Sequence, residues 1–214
     1  MDADPARPPD VASRFLAFAA AVALFHHLPA LVGHRWEEWV DLATPFAVLG
    51  AAAWTLAALA PAAGVWALAG VAAVLYTDGH GIHLAANTIR SVGTTGAVEN
   101  EAYFWDETWG HIEWHGGLFL LLAAICLADR GRGRRVPLPL ATLAIGLTIF
   151  TNTVEGGDWW LALAAAAVFV PWAVARRSPL RLAVAGAFAL TAVGIGIWAL
   201  WHGGVPQFSE LGWI

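Results

Sequence analysis

Two stretches of the chain place histidines at helical spacing beside carboxylates. "YTDGHGIHLAANTIR", Tyr76 to Arg90, carries His80 and His83 at i, i+3, with Asp78 between Thr77 and Gly79. "WDETWGHIEWHGG" carries Glu107, His111 and His115 successively one turn apart. Imidazoles one turn apart can ligate a single divalent ion, and a carboxylate a turn earlier can serve as ligand, base or orienting partner. His80, His111 and His115 are the expected ligands, with His83 as ligand or orienter. Glu107 or Asp78 is the expected base, taking a proton from a metal-bound water.

At about 100° per residue, Tyr76, His80, His83, Asn87 and Arg90 share one helix face of roughly 80°. Asp106 and Glu113, seven residues apart, are expected on a face different from that of Glu107. In "TNTVEGGDWW", Thr148, Thr151, Asn152 and Glu155 form a polar stripe, and His202 closes the last apolar run. Glu155 and His202 are therefore added to the metal candidates. His26 and His27 read as interfacial or supporting residues, and His34, beside "RWEEW", as a solvated loop residue.

The elements that must hold these groups are membrane helices. Of the 214 residues, 59% are hydrophobic and 13% charged, more apolar surface than a soluble domain of this size buries. Runs long enough to cross about 30 Å of hydrocarbon fall at roughly 14–33, 42–60, 62–90, 104–128, 136–155, 158–175 and 180–202. The expected fold is an all-α seven-transmembrane bundle forming one domain over 14–214, after a short disordered cytoplasmic tail over 1–13. The first run has neither a basic region directly ahead of it nor a small-residue cleavage site, so it is expected to be retained.

All eleven basic residues are arginine. Arg7 and Arg14 precede the first run, Arg130, Arg132, Arg134 and Arg135 follow the fourth, and Arg176, Arg177 and Arg181 separate the last two. Those three groups fall on one side only if there are seven crossings. The positive-inside rule then sets the N-terminus in the cytoplasm and the C-terminus outside. Only Arg35 and Arg90 are left on the outer side, where all eight histidines also fall. The thirteen tryptophans read mainly as an outer aromatic belt, several of them near enough to line a hydrophobic cleft.

Composition removes several function classes. Without lysine there is no retinal Schiff base. One cysteine, Cys126, permits neither a disulfide framework nor a thiolate cage. No serine sits in a nucleophile-elbow motif, and the arginines form no patch interleaved with aromatics that would mark nucleic-acid binding. What remains is a membrane metal protein, foremost a zinc hydrolase acting on a lipid or lipid-linked substrate at the outer face of the inner membrane. The alternatives are an iron or copper oxygenase, a b-type haem protein, and a non-catalytic metal sensor or transporter.

Seven spans, an H-x-x-x-H pair at His111 and His115, and a further intramembrane histidine and aspartate resemble the superfamily of alkaline ceramidases and adiponectin receptors. These are integral-membrane zinc hydrolases, so the resemblance implies zinc and hydrolysis. In that superfamily the H-x-x-x-H pair lies on the last helix and here on the fourth, so no residue role is carried over.

Overall fold

The structure, a computed structural model, describes residues 10–32, 34–131 and 138–213, without the side chains of Ala30, His34 and Arg35. Arg7, Arg132, Arg134 and Arg135, three of them in the most basic segment, lie outside the described residues. His34, expected in a loop, instead opens a helix, while the solvation expected of its side chain and the outer-side role expected of Arg35 lie outside the described side chains.

The described residues are mainly helical. In order come α1 (Val11–His27), α2 (Pro29–Val32), α3 (His34–Leu59), α4 (Ala63–Ser91) and α5 (Ala97–Tyr103). A π-helical stretch (Phe104–Gly110) then leads into α6 (His111–Ala128), followed by α7 (Leu138–Glu155), α8 (Trp159–Ala175) and α9 (Pro179–His202). There is no strand among the described residues. α1 is capped by Asp10, whose carboxylate accepts from the Ser13 hydroxyl at 2.6 Å and the Ser13 amide at 3.3 Å. Those two bonds hold the Asp10 carboxyl below its ordinary pKa. α9 starts on the Ser178 cap with Pro179 in its first turn and ends at Gly203 in the left-handed region.

Four helices among the described residues are long and apolar enough to cross a membrane: Trp36–Leu59, Ala97–Ala128, Leu138–Glu155 and Pro179–His202. α1 and α8 are apolar but only 17 residues long. α4 is long enough, yet its second half carries Asp78, His80, His83, Asn87 and Arg90, which lower its hydropathy. The run expected at 42–60 begins earlier, because "RWEEW" is part of α3. Likewise the run expected at 104–128 is one continuous helical rod from Ala97.

Side-chain contacts fix the directions of the helices. Arg14 at the start of α1 donates to the Trp54 carbonyl late in α3, and Thr44 early in α3 donates to the Phe25 carbonyl late in α1, so these two are antiparallel. Thr142 meets Ala183 and Thr191 meets the Gly146 carbonyl, so α7 and α9 are parallel. The α4 and α6 backbones touch through glycines. A Cβ at Gly79 would come within 2.6 Å of the Gly110 carbonyl, and one at Gly117 within 2.8 Å of the Ala72 carbonyl. Small residues permit this approach where lipid supplies no hydrophobic drive between helices.

At the end opposite the histidines, Arg181 ties α9 to α6. Its guanidinium donates to the carbonyls of Cys126 at 2.9 Å, Asp129 at 3.0 Å and Arg176 at 3.0 Å, while Asp129 accepts from the Leu180 amide. Three otherwise orphaned carbonyls at helix ends are thereby satisfied. Arg181→Leu is expected to lower stability by about 1–3 kcal/mol in thermal unfolding of the detergent-solubilised protein. Arg177→Ala, at an exposed position, should leave the midpoint unchanged.

Candidate functional site

The close seam between α4 and α6 brings both histidine pairs together, and α1 adds a fifth imidazole. All five rings surround Trp114, a buried residue of α6. Their centroids lie from the indole at 4.4 Å for His80, 5.1 Å for His115, 5.2 Å for His26, 5.4 Å for His83 and 5.5 Å for His111. His83 and His111, one from each helix, are 4.7 Å apart. The sequence-level expectation of a single polar cluster at one end therefore holds for His80, His83, His111 and His115.

Each histidine has a distinct set of partners. The Nδ1 of His26 can only donate to the Val22 carbonyl, 2.6 Å away, so its Nε2 is the acceptor for both the Tyr76 hydroxyl at 3.0 Å and the Trp114 indole N–H at 3.2 Å. His26 is thus fully engaged and braces Trp114. His27 bonds the Ala23 carbonyl and, at 3.0 Å, the Thr151 hydroxyl, tying α1 to α7. His115 Nδ1 lies 2.7 Å from Asp158 Oδ2, both side chains being buried. His83 Nδ1 lies 2.6 Å from Asp106 Oδ1. His80 Nε2 is 3.7 Å from Asp41, and His111 Nδ1 is 4.0 Å from Glu107.

Arg90 organises the carboxylates. One of its nitrogens donates to Asp106 at 2.7 Å and Glu107 at 2.6 Å, and its Nε reaches Glu99 at 3.3 Å. Asp106 is only 1% exposed. It bridges Arg90 to His83.

The π-helical stretch decides this arrangement. An i→i+5 pattern turns each residue by less than the 100° of an α-helix. Asp106 and Glu107 consequently both meet Arg90, and Asp106 does not share a face with Glu113 as α-helical counting predicts. Glu113 instead stands with Asp78 on the far side of the seam. Asp78 itself is exposed above an open groove of about 680 Å³ lined by Ala73, Val74 and Ile82, turned away from the histidines. Asn87, expected on the inner face of α4, is exposed as well.

Glu155 and His202 are not brought into the cluster. The Glu155 carboxylate accepts from the Phe208 amide at 2.7 Å and the Ser209 amide at 3.1 Å, pinning the C-terminal segment over the bundle. His202 packs on Trp198, with ring centroids 4.2 Å apart, and beside Trp201 and Trp213.

Besides His83 Nδ1, which makes no hydrogen bond of good geometry but lies 2.6 Å from Asp106, three buried imidazole nitrogens have no hydrogen-bond partner among the described residues: His80 Nε2, His111 Nδ1 and His115 Nε2. Such atoms are costly to bury unsatisfied. In donor type they suit a divalent ion, and His115 has the carboxylate-held Nδ1 that is usual for a metal-binding histidine. In geometry, no three His, Cys, Asp or Glu side chains among the described residues converge on one point. Trp114 fills the centre that the five rings share.

Sequence reasoning missed Asp158, Asp41, Tyr76 as a donor, and Trp114. Only the adjacency of Asp158 to a glycine pair and two tryptophans set it apart from an ordinary helix cap. Set against known proteins, the chain matches no family model, no curated protein and no solved structure, so its chemistry is legible only from its own residues.

Proposed function

We propose that the protein crosses the inner membrane seven times, with its N-terminus in the cytoplasm, and is a metal-dependent hydrolase whose site opens to the extracytoplasmic face. The helix directions support alternating crossings. The placement of Arg14, Arg176 and Arg181 at the end away from the histidines supports the orientation.

One observation carries the catalytic reading: Asp158 fixes His115 with Nδ1 as the donor, leaving the buried Nε2 as a lone pair with nothing to accept. His80 and His111 present unpartnered nitrogens around the same indole. These three are the candidate ligands of the ion, zinc in the first instance, and since they do not converge on one point among the described residues, binding requires their side chains to rearrange around Trp114. A bound zinc supplies Lewis acidity and brings the pKa of its water near neutrality. Glu107, anchored by Arg90 and 4.0 Å from His111, is the carboxylate placed to take a proton. Trp114 and Tyr76 exclude water from the inner side of the cluster, and His26 holds both in place. Asp78, facing the other way, is dropped from the base role.

A second reading is favoured by the lack of convergence on one point: a proton-handling histidine and carboxylate network without metal. Elemental analysis and an absorption spectrum of the purified protein, beside a His111→Ala/His115→Ala variant, separate the two. About one zinc per chain, colourless and lost in the variant, is the expected result. Stoichiometric iron or copper, or a haem Soret band, would replace hydrolysis by redox chemistry. Absence of any metal in protein purified without chelator would leave the proton network.

A further inference from the structure

A second cavity lies between the π-helical stretch, the turn joining α7 to α8, and the C-terminal segment. It measures about 190 Å³, and its walls include Tyr103, Glu107, Asp158, Trp160 and Gln207. It reaches the His115–Asp158 pair from the outer side. Asp158 is 3% exposed and uses Oδ2 for His115, while its Oδ1 is buried without a partner among the described residues. An ionised carboxylate is acceptor-only, so a ligand that reaches Asp158 from the cavity has to bring a donor.

The charge balance restricts that donor. Glu107 and Asp158 are the carboxylates in the cavity's lining, no arginine among the described residues is in that lining, and the Arg90 guanidinium that meets Glu107 is shared with Glu99 and Asp106. A phosphate or carboxylate is repelled. A bare metal cation needs several oxygens at one point, and among the described residues no such set converges. An ammonium brings its own N–H donors, and the half-exposed ring of Trp160 offers a face to a cation, whereas one face of Tyr103 is already covered by the Arg90 guanidinium, 5.0 Å away.

We propose that this cavity binds a primary ammonium group, as a lipid headgroup amine or a small soluble amine, and presents its substrate to the histidine cluster. The inference rests on the reading of that cluster as a reaction centre. Its volume takes a headgroup and leaves an acyl chain in the bilayer.

The test uses the full chain, stripped of metal, in phosphatidylglycerol nanodiscs, so that amine binding is scored apart from any hydrolysis. Ethanolamine, choline and inorganic phosphate are titrated by saturation-transfer difference NMR. Ethanolamine is expected to bind at least 10-fold more tightly than choline, which has the charge but no N–H. Phosphate should not bind. Asp158→Asn should weaken ethanolamine at least 10-fold, and because Asp158 also starts α8, Glu107→Gln and Trp160→Ala are measured beside it. Equal binding of choline, binding of phosphate, or wild-type affinity in both Glu107→Gln and Trp160→Ala would overturn the proposal. Doping the discs with phosphatidylethanolamine, but not phosphatidylcholine, should compete if the source is the lipid headgroup. Failure to compete assigns the site to a soluble amine.

Discussion

Gly117→Leu is expected to leave no folded protein. At Gly117 the α6 backbone lies directly on α4, and even a Cβ would come within 2.7 Å of the Tyr76 Cα and 2.8 Å of the Ala72 carbonyl. The neighbours are backbone and cannot rotate away, so the two helices must separate. That would exceed the ordinary overpacking cost of about 1–3 kcal/mol. Separation also dismantles the histidine cluster, since His80 and His83 ride on one helix and His111 and His115 on the other. At Gly116, the preceding residue, an added Cβ would meet nothing within 4 Å among the described residues, so Gly116→Ala should be neutral or gain up to about 1 kcal/mol from helix propensity. Size-exclusion profiles and thermal unfolding in detergent compare the pair. Equal behaviour of the two variants would show that the seam is not as close as described.

Arg90→Leu should be the most damaging single change among the charged residues. It removes the cation shared by Glu99, Asp106 and Glu107 and leaves Asp106, 1% exposed, with only His83 as a partner. Breaking a buried ion pair from one side costs about 3–5 kcal/mol, chiefly because the remaining charge is stranded. Arg90→Lys keeps the charge but lacks the planar fork that reaches several carboxylates at once. It should fall between wild type and Arg90→Leu. Adding Asp106→Asn to Arg90→Leu should recover part of the loss, because the stranded charge is gone. No recovery in thermal unfolding would mean that Arg90 acts through packing on Tyr103, 5.0 Å below its guanidinium, and not through the carboxylates.

The all-helical class, the presence of helices apolar enough to span a membrane, most helix ends, though not the early starts of α3 at His34 and of the rod at Ala97, and the meeting of His80 and His83 with His111 and His115 were legible in the sequence. Hydropathy and the 3.6-residue period are local properties, and a short connection forces α4 and the following rod to lie side by side. The outward direction of Asp78 follows from the same period. The register of Asp106 was not legible. A π-helical stretch is not marked by residue type, and where it intervenes between Asp106 and Glu113, α-helical counting misplaces their shared face.

By itself the sequence determined a helical chain with segments long and apolar enough to cross a membrane and with its histidines gathered at one end, because apolar length and charge placement alone decide what can sit in hydrocarbon. Only the tertiary structure decided which other groups join the two histidine pairs. Asp158 reaches His115 across 43 residues and His26 reaches Trp114 across 88. It also assigned Glu155 to the C-terminal segment and His202 to a tryptophan stack. Such pairings depend on how whole helices pack, and the close glycine contacts that set the packing act between segments far apart in the chain.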